Sequence, residues 1–118
     1  MSLSKRDAVL LGKMLSEIAD IEMFVSDLDQ DTFAQIKIVQ KAVIMTFINL
    51  GELAKNLTEG FLNKTNHIPW HKIRGLRNLA AHHYDAVDMV DIWLTIKRDI
   101  PVLKMALLIQ TSIQTDMA

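Results

Sequence analysis

Thr32-Phe33-Ala34-Gln35-Ile36-Lys37-Ile38-Val39-Gln40-Lys41-Ala42-Val43-Ile44-Met45-Thr46-Phe47-Ile48-Asn49-Leu50 decides the fold class. Ile36, Val39, Val43, Phe47 and Leu50 recur every three or four residues, joined by Ile44 and Ile48. That period lines the face of an α-helix. Thr32 with Gln35 three positions on fits a capping box, so the spacing predicts a helix opening at Thr32. The stretch is apolar around much of its circumference, which predicts burial on two sides, one against its own bundle and one against a second subunit. Gly51 follows directly. A glycine inside a helix costs ~1 kcal/mol relative to alanine, so the expected reason for it is the close approach of a crossing helix, the alternative being room for a ligand backbone beside Glu52.

Upstream, Leu10, Met14, Ile18, Ile21, Val25 and Leu28 repeat at the same steps, with Leu11, Leu15 and Phe24 as a second row. They predict a first helix from a weak cap at Ser4 to about Asp27. Downstream the pattern fades from Leu57 to Leu62, and Asn63 to His67 reads as a polar loop. Pro69 suits a first helical position, so a third helix is expected from Trp70 to about His82, with Trp70, Ile73, Leu76, Leu79 and Ala80 inward. Asp85 to Asp88 reads as a break and cap. A last helix follows, with Val90, Trp93, Leu94, Ile100, Leu103 and Leu107 as its stripe. Pro101 inside it should bend the axis about one turn earlier. The polar tail from Thr111 is expected to fray.

No strand-like alternation and no internal repeat is present. The prediction is an all-α, up-and-down bundle of four main helices with room for one short one, forming one domain over residues 1–118. Its two N-terminal helices hold more apolar surface than a lone bundle needs, which predicts a homodimer. The chain has no cysteine, excluding disulfides and thiolate metal sites and pointing to a reducing cytoplasm. Its start is polar and charged, so neither a signal peptide nor a membrane anchor is expected.

Net charge is only −1, unlike a strongly basic nucleic-acid binder, but the charge is segregated. Gly60 to Tyr84 contains no Asp or Glu, and holds Lys64, Lys72, Arg74, Arg77 and all four histidines. With neutral histidines this window is +4 and the remainder −5. Such a segment is either an ordinary solvated face or a field that attracts an anion such as phosphate. The window ends in Arg77-Asn78-Leu79-Ala80-Ala81-His82-His83-Tyr84. On a helix, Arg77 would lie nearly above Tyr84, Asn78 would pair with His82, and Ala81 would leave space between the rows. A metal site fits poorly: Pro69 interrupts the helix that would stack His67 on His71, and no carboxylate is near.

Phosphodiester chemistry on RNA suits these residue types. A 2′-hydroxyl attacks its own phosphate when a base removes its proton and an acid protonates the departing 5′-oxygen. Histidine serves either role, forked arginine holds the phosphate oxygens, and the chemistry needs no metal or cofactor. A two-fold dimer would bring two copies of His82 to one cleft.

Arg77-x4-His82-His83-Tyr84 resembles the R-x4-H-x-Y signature of HepT-like proteins, a branch of the HEPN superfamily of small helical domains. Leu50-Gly51-Glu52-Leu53-Ala54, Ile68-Pro69-Trp70 with Ile73 to Asn78, and Ile92-Trp93 through Asp99-Ile100-Pro101 are similar to the family's flanking segments. The resemblance implies a homodimer with a composite cleft and a metal-independent ribonuclease leaving 2′,3′-cyclic phosphate. It also implies the toxin of a toxin–antitoxin pair, whose partner is a minimal, MntA-like nucleotidyltransferase. Arg77 and His82 would be catalytic with Asn78 in support. Arg74 and Lys72 would help bind RNA, and Tyr84 would accept AMP from the partner. His83 would be rim. The alternative is a noncatalytic dimeric adaptor that binds nucleotide or partner. A third reading, a plain structural bundle, would be supported by Arg77 and His82 being buried and internally paired.

Overall fold

The computed structural model describes residues 3–117, with side chains described to Ser112. Helix α1 (Lys5–Phe24) begins where expected, with Ser4 Oγ accepting from the Asp7 backbone N–H. Asp7 does not complete the capping box. Its carboxylate is buried and reaches across the fold to Thr58, accepting from the backbone N–H at 2.9 Å and from the hydroxyl at 2.5 Å. The same hydroxyl oxygen accepts from Phe61 N–H and so caps α4 (Glu59–Lys64), the short helix where apolar periodicity faded. Asp27 ends the turn after α1 with φ of 66°, a left-handed conformation that aspartate tolerates better than most residues.

The helix expected to open at Thr32 is split. Asp29, not Thr32, is the cap: it accepts from Thr32 N–H, which holds its carboxyl below the ordinary range. A single turn, α2 (Gln30–Phe33), follows, and α3 (Lys37–Lys55) starts afresh after Ala34 to Ile36. Gln40, buried, donates from Nε2 to the Phe33 carbonyl and ties the two together. Phe33 then packs on Trp93 with ring centroids 5.2 Å apart.

Helix α3 is the central element. It packs against α1 on one side and against α5 (Trp70–Gly75) and the segment after it on the other. Much of its second apolar face is therefore covered by the chain's own later residues, while Ile38 and Met45 stay exposed. Pro69 is the cap of α5 and not its first residue. The helix expected to run to His82 changes character at Leu76: Leu76–Ala81 is a 3-10 helix, and His82 and His83 are extended, with ψ of 146° and 145°. In a 3-10 helix side chains at i and i+3 eclipse, so Leu76 and Leu79 form one row. Both pack on the core, while Ala80, expected inward, is exposed.

The last stripe shifts too. Val90 is exposed, and Ile92 and Ile96 take the core positions beside Trp93, Ile100, Leu103 and Leu107. Asp88 caps α6 (Met89–Leu94), as expected from the break before it. A π turn over Thr95–Asp99 joins it to α7 (Ile100–Met117). Pro101 has no N–H to offer the turn before it, and the widened turn falls at that place. The polar tail expected to fray continues α7 to Met117. The described residues are all-α, without strands. No helix among them is long and apolar enough to cross a membrane.

At Gly51 backbone meets backbone. A Cβ built there would stand 2.5 Å from Arg77 N, 3.2 Å from Arg77 Cα and 3.2 Å from Arg74 O. The close crossing expected from sequence is thus made by the motif segment. Helix propensity alone would favour alanine, but the atoms in the way are backbone and cannot swing aside. Gly51→Ala is expected to destabilise by about 1–3 kcal/mol in urea unfolding. Gly12→Ala, where a Cβ meets nothing within 4 Å, should stabilise by ~0.5–1 kcal/mol. Asp7→Ala leaves the Thr58 donors without their acceptor and should cost about 1–3 kcal/mol by the same measurement.

Candidate active site

The 3-10 segment lies along α3, with Arg77 against Gly51 at one end and Tyr84 beside Lys41 at the other. Ten residues of α3 cover about 15 Å at 1.5 Å each. The seven steps from Arg77 to Tyr84 would span only about 10.5 Å as α-helix, but roughly 14 Å at the 3-10 rise. The drawn-out backbone lets the motif track α3 over that length. It also dissolves the predicted rows: Arg77 no longer stands over Tyr84, nor Asn78 over His82.

Arg77 is half-buried, anchored through its backbone at Gly51, and its guanidinium makes no hydrogen bond or ion pair among the described residues. Asn78 is exposed on the next position. His82 is exposed just where the 3-10 helix ends, its backbone N–H donating to Leu79 O at 3.2 Å while its imidazole is free of protein partners among the described residues. His83 is exposed beside it. Tyr84 is half-buried and opens a short turn, Tyr84–Ala86, held by Ala86 N–H to His83 O at 2.9 Å. Lys41 Nζ lies 5.3 Å from the centroid of the Tyr84 ring.

The expected RNA-binding pair is divided. Arg74 is half-buried at the end of α5, its carbonyl against Gly51, on the motif side. Lys72, two residues earlier and so on roughly the opposite side of that helix, turns to Asp99 at 3.4 Å. It shares the α5–α7 groove with His67, Ile73, Leu76 and Val102. Lys72 is therefore apart from Arg74, with which it was expected to bind RNA. Among the described residues no three His, Cys, Asp or Glu side chains gather as a metal site.

Sequence reading missed Lys41, which no motif spacing ties to Tyr84. The available signal was electrostatic: Thr32 to Gly51 is a second stretch without Asp or Glu. The burial and internal pairing that would have supported a plain structural bundle are not found: His82 is exposed and Arg77 is unpaired among the described residues.

Comparison with known proteins agrees with the resemblance of the motif. A relative from Methanocaldococcus jannaschii, named as a candidate RNase, is 32% identical over 103 residues, 86% of this chain and 94% of its own. One from Thermococcus cleftensis, named as a candidate ribonuclease HepT, is 35% identical over 94 residues, covering 76% of this chain and 86% of its own. One from Caldanaerobacter subterraneus, a candidate RNase by name, is 31% identical over 94 residues, covering 80% and 84%. No solved structure matches the chain. The sequence model described as "Ribonuclease HepT-like" matches residues 14–108, a span that contains α3, Gly51 and the whole motif. The chain belongs to the HepT-like ribonuclease family.

Proposed function

We propose that this protein is a metal-independent endoribonuclease, the toxin of a toxin–antitoxin pair, whose cleft is built from Arg77 and His82 of two copies. The observation that carries the reading is an accessible imidazole and a half-buried guanidinium without an acidic partner among the described residues, five positions apart in a stretch that contains no Asp or Glu. Arg77, its backbone fixed at Gly51, binds the scissile phosphate through its fork and stabilises the charge that grows on the phosphoryl oxygens. One His82 takes the proton of the 2′-hydroxyl as that oxygen bonds to phosphorus. The P–O5′ bond breaks, and a second imidazole in acid form protonates the departing 5′-oxygen. The products are a 2′,3′-cyclic phosphate and a 5′-hydroxyl. Asn78, exposed beside Arg77, orients the strand.

Each chain supplies one His82, so the two proton transfers call for a two-fold dimer. Apolar side chains left exposed on α3 (Ile38, Met45) and α7 (Val102, Met105, Ile109) support association. Silencing fits Tyr84: transfer of AMP to its phenol by an MntA-like nucleotidyltransferase would place a phosphodiester next to the cations that hold the substrate.

His82→Ala should abolish cleavage of total RNA in EDTA while circular dichroism stays that of wild type. Arg77→Lys should lower the rate at least tenfold, because lysine keeps the charge and loses the fork. Near-wild-type cleavage by His82→Ala, or loss of wild-type cleavage on chelation, would remove this mechanism. No cleavage by unmodified wild type would favour a noncatalytic adaptor. In a separate assay, Tyr84→Phe should escape silencing by the nucleotidyltransferase and gain no AMP by mass spectrometry; efficient adenylylation of that variant would move the acceptor elsewhere.

A further inference from the structure

The motif stretch is one of the two longest in this chain that lack carboxylates. Thr32 to Gly51 and Gly60 to Tyr84 together exclude all fourteen Asp and Glu residues, and the first carries Lys37 and Lys41. Folding lays the two side by side, α3 against α5 and the 3-10 segment. A run of cations results along α3: Arg74 and Arg77 near Gly51, Lys41 at the Tyr84 end, and Lys37 one helical turn further.

Lys41 is exposed and has no ion pair among the described residues, unlike Lys72 with Asp99 and Lys104 with Glu22. Its ammonium rests instead 5.3 Å from the centre of the Tyr84 ring. An aromatic face steadies a cation without cancelling its charge, whereas a carboxylate would neutralise it. The ring thus holds a full positive charge at the edge of the motif. A line of cations along a helix, open on its outer side, matches an extended polyanion better than a compact one.

We propose that Lys41, positioned by Tyr84, is a substrate-binding residue of this site, taking a backbone phosphate of single-stranded RNA further along the strand from the phosphate at Arg77. The inference rests on the ribonuclease reading above. Lys41 touches no reacting atom in this role. It lends binding that is equal in ground and transition states, so its loss should raise KM and leave kcat near wild type.

The test uses the full chain and a fluorescent 2′-O-methyl RNA oligonucleotide, which binds but has no free 2′-hydroxyl to attack. Anisotropy titrations run across a salt series, for wild type, Lys41→Gln, Lys41→Arg and Lys13→Gln, an exposed lysine on α1. Lys41→Gln is expected to weaken binding about three- to tenfold and to flatten the log K against log salt slope by about 0.7, the share of one single-strand phosphate contact. Lys41→Arg should keep both, and Lys13→Gln should leave the slope unchanged. Wild-type binding and slope in Lys41→Gln would overturn the inference and leave the ribonuclease reading standing. An equal loss in Lys13→Gln would overturn it as well, as an effect of net charge alone. Wild type that binds no RNA at any salt would overturn the ribonuclease reading and this inference with it.

Discussion

The contact between Gly51 and the backbone of Arg77 sets the geometry of everything near the motif. Without a Cβ on α3, two main chains approach so closely that even a methyl group would collide with backbone atoms. A helix of ordinary residues keeps its neighbours at side-chain distance, typically 8–10 Å between axes. Removing the side chain at one position lets the segment carrying Arg77 sink against α3, and the rest of that segment must then follow the same surface. It does so as a 3-10 helix, whose longer rise per residue stretches six residues along α3 and whose three-fold repeat turns Leu76 and Leu79 together onto the core.

That change of helix type has a chemical consequence. In a continuous α-helix His82 would sit in a turn, crowded by neighbours three and four residues away. Here the helix ends at Ala81, and His82 follows on extended backbone with its imidazole in solvent. The proposed role in proton transfer requires reach to both substrate and water, and an exposed imidazole is compatible with it. Arg77 has the opposite arrangement: its main chain is packed and its guanidinium half-covered without an acidic partner among the described residues. A charge in that position keeps contact with water and stays available to a phosphate. An internal carboxylate would have paired with that charge and competed with an outside anion.

Long-range tethers hold the scaffold around this strip. Asp7 on α1 captures Thr58, which in turn caps α4. Thr65 accepts from the Trp70 indole and donates to the Phe61 carbonyl, fixing the entry to α5. These buried polar groups are satisfied by each other, so they specify where the connections lie at little cost in desolvation. The π turn before Pro101 lets α6 and α7 continue as one body, with Ile96 and Ile100 in the core.

Sequence alone determined that this is an all-helical chain, because three- and four-residue apolar periods in α1, α3 and α7 are local consequences of helix geometry. It also set out Arg77, His82 and Tyr84 as candidates for a site and pointed to the close crossing at Gly51, since a glycine in an apolar helix calls for a close neighbour. Where the first turn after Asp29 breaks and where the third helix changes type were not legible. Both depend on what α3 can accept against its surface, and local propensity carries no record of that. The fold likewise separated Lys72 from Arg74, two residues apart, and joined Lys41 to Tyr84, forty-three residues apart in number. Periodicity is written in each helix by itself, whereas which charged groups share a surface is fixed only when one helix is laid on another.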